Sequence, residues 1–163
     1  MKKKNYILPA LSAICVLAVI GMILALTLGG KKAQQPPFTP PEFDSAAISG
    51  TPEVSDGSWS KIYQDGMSFT VYVCGNVIVQ GDSTDVYFTS IAENTVWLKL
   101  RITDEAGNIL GETGLIKPNE YVRSVKFDTV PATGTKIKLK IMAYEPETYY
   151  SAGAVSLNTA IGG

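Results

Sequence analysis

Two pairs of carboxylates are the residues best spaced for chemistry: Glu145 and Glu147 on either side of Pro146, and the adjacent Asp104 and Glu105. Two acids flanking a bond are all that a glycosidase requires. Neither pair lies in a surrounding motif, and acids in turns commonly serve solubility and turn geometry. Cys74 is a second nucleophile candidate, but no base accompanies it. Its position at the end of the alternating run FTVYVC predicts a buried or half-buried thiol. The chain contains no histidine, which removes the commonest general base and the commonest soft-metal ligand together. Asp82 with Asp85, or Asp104 with Glu105 and Asn108, would offer oxygens to calcium, at spacings unlike a calcium loop. No catalytic, metal or cofactor site is expected, and the chain reads as a non-enzyme that takes no small-molecule substrate.

Two stretches suit binding better. In TVWLKLRIT (95–103) and TKIKLKIMAY (135–144), Trp97, Lys99 and Arg101 alternate with one apolar set, and Lys136, Lys138 and Lys140 with another. If the two runs are neighbours in a sheet, five cations gather around one tryptophan, on a stretch from residue 57 onward that holds nine basic and eleven acidic residues. Such a face would hold an anionic envelope polymer or nucleic acid. The competing reading is the ordinary solvated side of an antiparallel sheet. The second stretch is the loop Tyr144, Glu145, Pro146, Glu147, Thr148, Tyr149, Tyr150 and Ser151. Tyrosine beside serine suits protein recognition, because tyrosine offers a large amphipathic surface with few rotatable bonds. Alternatively, Tyr149 and Tyr150 lie back on the sheet and pin the strand ends. Both readings stand at this point.

The elements that must position these residues are short β-type runs separated by turn residues. They cover 69–74, 77–80, 85–90, 95–103, 109–113, 120–127, 135–144 and 153–161. Gly75-Asn76 predicts a two-residue hairpin between the first two. Inward positions are expected at Val96, Leu98, Leu100 and Ile102 on one long strand, and at Ile137, Leu139, Ile141 and Ala143 on the other. Seven or eight such strands predict an all-β antiparallel sandwich over residues 59–163.

The run VYFTSIAENTVWLKLRITDEAGNILGETGLIKPNEYVRSVKF, with its phrases TDEAGN and GLIKPNE and the alternating strand after a proline-glycine corner, resembles immunoglobulin- or fibronectin-III-like domains of small membrane-anchored Gram-positive surface proteins. The resemblance covers about residues 68 to 161 and lacks the paired cysteines of antibody domains. It implies a sandwich of seven or eight strands used for interaction, display or assembly, in which 144–151 is the F–G loop. It carries over no catalytic residue and no particular partner.

Upstream, residues 5–30 carry no charge, and about 20 apolar residues cross a bilayer as a helix. Residues 1–30 are therefore expected to be a single-pass anchor closed by Lys31 and Lys32. A cleaved signal peptide is the rival reading. Lys2, Lys3 and Lys4 favour a cytoplasmic N-terminus and an extracytoplasmic remainder. Five of the nine prolines fall in residues 31–58, which predicts an extended linker. Phe38 and Phe43 stand out there, either as docking residues or as incidental aromatics. The expectation is a membrane-anchored interaction module of a bacterial envelope or surface assembly that contacts another envelope protein. A binder of anionic polymer through the basic face is the alternative.

Overall fold

The computed structural model describes Met22 and residues 38–54, 59–62 and 69–162. The expected membrane anchor, apart from Met22, and residues 31–37 and 55–58 of the expected linker lie outside the described residues. Among the described residues, no helix is long and apolar enough to cross a membrane.

The body formed by Pro40–Gly163 is all-β. Its strands are β1 (Ile48–Ser49), β2 (Trp59–Ile62), β3 (Val71–Cys74), β4 (Val77–Gln80), β5 (Ser83–Ser90), β6 (Trp97–Asp104), β7 (Ile109–Glu112), β8 (Glu120–Lys126), β9 (Lys136–Tyr144) and β10 (Ser151–Gly162). They form one curled sheet in the order β1-β8-β5-β4-β10-β9-β6-β7, with β3 beside β5 and β2 beside β3. A short parallel contact, Ile161 with Val77 and Gly162 with Ile78, joins β10 to β4. At the far end of the path the amide of Asp128 donates to the Leu110 carbonyl, just beyond β8, so the curl brings β7 back toward β8.

Alternation explains the interior. Leu98, Leu100 and Ile102 of β6 and Leu139, Ile141 and Ala143 of β9 are fully buried, as the period of two requires. They meet Val86 and Phe88 of β5 and Val122 and Val125 of β8 in a single apolar cluster. One extra residue in β5 between Asp85 and Phe88 forms a bulge, and Tyr87 takes φ 44° there. Asn94 acts as a surrogate strand partner. Its Oδ1 accepts from the Thr70 amide at 2.8 Å, and its Nδ2 donates to the Thr70 carbonyl at 2.7 Å and the Ser90 hydroxyl at 2.9 Å.

Two expectations are corrected. β3 and β4 do not form a hairpin across Gly75-Asn76. They run in the same direction along β5, pairing with Thr89 and Ser90 at one end and with Ser83 and Thr84 at the other. The hairpin lies one step later, at Gly81-Asp82, where Gly81 takes the left-handed φ of 67° that a two-residue loop favours at its first position. The second correction concerns the C-terminal part of the expected linker. Residues 42–50 form a strap on the folded body, turning at residues 44–47 and borrowing hydrogen-bond partners from the body on either side of that turn. Leu115 donates to the Glu42 carbonyl and accepts from the Asp44 amide, at 2.8 and 2.9 Å. Farther on, Ile48 and Ser49 pair with Tyr121 and Glu120.

Candidate functional site

β6 and β9 are antiparallel neighbours, and this places the two expected surfaces on one sheet. Trp97 stands opposite Tyr144, Lys99 opposite Met142, and Arg101 opposite Lys140. The lysines of β9 are exposed, but the six cationic-face residues do not act as one patch. Glu112 on β7 takes Lys99 Nζ on one carboxylate oxygen at 2.7 Å and Arg101 Nε on the other at 2.8 Å. Lys99 is only 11% exposed along its side chain, so its ammonium is largely committed to that pair. Lys136 approaches Glu105 at 3.5 Å. Among the described residues, Lys138 and Lys140 make no ion pair. A shallow depression of about 590 Å³ beside them is lined by acids as well as lysines, including Asp104, Glu105, Lys136 and Lys138. Mixed signs there suit a polyanion poorly.

Burial pushes the Glu112 carboxyl upward, but the hydrogen bonds from Lys99 and Arg101, together with their charges, outweigh it and hold the group below its ordinary value of 4.5. A carboxylate lowered in the folded state adds stability that is present above its unfolded pKa and is lost as pH falls through the folded one. Glu112→Gln is therefore expected to lower the unfolding free energy at pH 7, read from urea denaturation, by on the order of 1 kcal/mol. The gap to wild type should close as pH falls below 4.5. A gap that stays constant down to pH 3 would remove Glu112 as the organiser of this face.

Trp97 is not a bare platform either. The Phe43 ring meets it edge-on at 4.8 Å, and Tyr149 meets it at 5.3 Å. Lys117 Nζ lies 4.8 Å from the Phe43 ring centre. The indole thus links the strap to the loop between β9 and β10, and aromatic pairs of this geometry contribute about 0.5–1.5 kcal/mol each beyond burial.

That loop is closed by its own hydrogen bonds. The Glu145 amide donates to the Tyr150 carbonyl at 2.8 Å, the Tyr149 amide to the Glu145 carbonyl at 3.0 Å, and the Thr148 hydroxyl to the Glu145 carboxylate at 3.3 Å. Glu147 and Tyr149 take φ values of 66° and 58°, unusual for side chains of their size. The consequence is a division of labour between the two tyrosines. Tyr149 turns back onto Trp97, whereas Tyr150 projects with 72% of its surface exposed, more than any other large apolar or aromatic residue whose exposure is described in the β body. Glu145 and Glu147, both exposed, precede it in the same loop, and Tyr144 lies half-buried at the root, its hydroxyl 3.7 Å from Met142 Sδ.

The candidate site is therefore a tip that carries one projecting tyrosine and two exposed acids, braced through Tyr149 and Trp97 by Phe43. The sequence marks the tip, Trp97 and Phe43 separately, but not that Phe43 reaches the tip through Trp97. Asp44 shows how the brace is held: one carboxylate oxygen accepts the Ala46 amide at 2.9 Å and the other the Gly114 amide at 2.7 Å. The phrase Asp-Ser-Ala-Ala after Phe43 is a turn signal that would have pointed to it. Cys74 is buried, with its thiol 3.3 Å from the Asn76 carbonyl. Asp104 is occupied by its turn; hydrogen bonds from the Asn108 side chain and amide hold its carboxyl below its ordinary value. Among the described residues, no group of three or more acids or cysteines stands close enough to hold a metal ion. Compared with known proteins, the chain matches no protein-family model and no curated protein.

Proposed function

We propose that this chain is a non-enzymatic, single-pass membrane protein that presents an immunoglobulin-like sandwich outside the cell and contacts another envelope protein through the tip at residues 144–151. The observation that carries the reading is the combination of an exposed Tyr150 with a loop fixed beneath it. A protein contact that immobilises a mobile side chain loses about 0.5–1.5 kcal/mol in ordering, and a pre-braced loop avoids part of that loss. The sandwich reading draws support from the single apolar cluster that side chains of β5, β8, β6 and β9 share inside the curled sheet. The uncharged run at 5–30 supports the anchor.

Crosslinking with mass spectrometry on native membranes tests this. A dominant protein partner joined near residues 144–151 is expected, and Tyr150→Ala should weaken that capture at least tenfold without changing the unfolding midpoint, since the side chain is solvent-exposed. Capture that Tyr150→Ala leaves intact would move the contact elsewhere. Exposed Lys138 and Lys140 support a second reading, retention on anionic polymer. Steep loss of retention between low and moderate salt would favour it.

A further inference from the structure

The loop between β9 and β10 carries charge that the fold does not balance. Elsewhere on the body, acids meet cations: Glu112 takes Lys99 and Arg101, Asp85 takes Arg123 at 3.1 Å, Asp82 takes Lys126 at 3.0 Å and Glu105 takes Lys136 at 3.5 Å. Among the described residues, Glu145 and Glu147 make no ion pair. The chain supplies none downstream, since no lysine or arginine follows Lys140. Across the sheet, Trp97 stands opposite Tyr144 at the root of the loop, and the next outward residue of β6, Lys99, is committed to Glu112.

One of these acids is tied to the exposed tyrosine. The Tyr150 amide donates to Thr148 Oγ1 at 3.3 Å, and that hydroxyl donates to Glu145 Oε2, also at 3.3 Å. Among the described residues, Glu145 Oε1 accepts no bond. The tip therefore offers an open carboxylate oxygen near the root of a ring that is 72% exposed. The face of a tyrosine ring is negative and attracts a cation. Arginine suits both features at once: its planar guanidinium stacks on a ring while its N–H groups donate to a carboxylate. Lysine brings a compact, strongly hydrated charge that serves the pair less well. We propose that the partner presents an arginine to the tip, its guanidinium stacked on Tyr150 and hydrogen-bonded to Glu145, with Glu147 adding attraction at longer range. This deepens the reading of residues 144–151 as a protein contact and rests on it. The same two acids repel an anionic polymer, so the tip and the Lys138 and Lys140 face select partners of opposite charge.

The probe is a synthetic peptide with three arginines spaced by glycine and serine, titrated onto the full chain in mild detergent and followed by amide chemical shifts. Shifts are expected at residues 145–151. Citrulline in place of arginine keeps the planar group without its charge and should weaken binding about tenfold, and lysine roughly threefold. Glu145→Gln should weaken it about tenfold with an unchanged unfolding midpoint, because the amide oxygen still accepts from Thr148. Tyr150→Leu should cost roughly threefold and Tyr150→Phe nothing, since the ring rather than the hydroxyl is used. Glu105→Gln, an exposed acid in the turn after β6, should bind like wild type. Shifts spread over every exposed acid, an equal loss in Glu105→Gln, or undiminished binding in Glu145→Gln overturns the proposal. Partner capture on native membranes separates the two levels. Capture lost in both Tyr150→Ala and E145Q/E147Q supports the arginine. Capture lost in Tyr150→Ala but kept in E145Q/E147Q overturns the arginine and leaves the contact standing, and capture kept in both overturns the contact itself.

Discussion

An alanine at position 114 is expected to lift residues 42–46 from the sheet. A β-carbon there would sit 2.5 Å from the Asp44 nitrogen, 2.6 Å from its Cα and 2.8 Å from the Phe43 carbonyl carbon. These are backbone atoms, so no rotamer relieves the collision, and the strap must move. Overpacking of this kind costs about 1–3 kcal/mol. The strap rests on few hydrogen bonds at an edge, so the loss should fall on it and leave the core largely unaffected. The expected result is at least tenfold faster amide exchange at Asp44 and Leu115, whose bonds join the strap to the body. Exchange within β5 should keep its wild-type rate. Phe43 would leave Trp97, and capture of a partner at the tip should weaken although no tip residue has changed. Unaltered protection at Asp44 would mean that the strap tolerates the extra carbon and that Gly114 does not hold it close.

Alanine at position 111 should do more damage, because it strikes the body. The added carbon would collide with the Lys126 carbonyl oxygen and crowd the Val125 side chain at 3.1 Å, where β7 comes close to β8. Both sides of this contact are strands held by their own pairings, Ile102 with Gly111 in one direction and Thr84 with Val125 in the other. The cost should reach about 3 kcal/mol, a large share of the roughly 5–15 kcal/mol that stabilises a typical domain. Gly107→Ala is the control, since φ there is 88° but the added carbon would meet nothing within 4 Å. Denaturant unfolding should show Gly111→Ala with the lower midpoint and an unchanged slope. Equal losses in the two variants would show that this approach yields easily.

How far the sequence could be read depends on the range of the interaction involved. The inward sets of β6 and β9 were visible because alternation is a local pattern, and the same pattern put Lys99, Arg101 and Lys140 on one face. Their neutralisation was not visible. Glu112 becomes a partner only through the register of β7 beside β6, and the acid itself lies in an unremarkable phrase, ILGET. Gly75-Asn76 misled for a related reason. The dipeptide allows a reversal or merely a kink, and the choice between them belongs to the partners of β3 and β4 along β5 and β10. Pro40, Pro41 and Pro52 read as linker residues, and nothing in them foretells that Leu115 and Tyr121 supply hydrogen-bond partners to the chain between them. At the tip, composition drew attention to both tyrosines. Only the left-handed backbone at Tyr149 sends one inward and leaves the other to solvent.

The strap has a mechanical consequence. Every pull transmitted from upstream enters the body at residues 40–50, the sole covalent route. It loads the bonds between Glu42, Asp44 and Leu115 before it reaches any of the long strands. Those few bonds act as a fuse in series with the core. When they part, residues 42–46 come free, about five residues that span at most roughly 17 Å at full extension, while β1 still holds to β8. The first response to tension is thus lengthening with Trp97 uncovered from Phe43, while the strands behind it still hold.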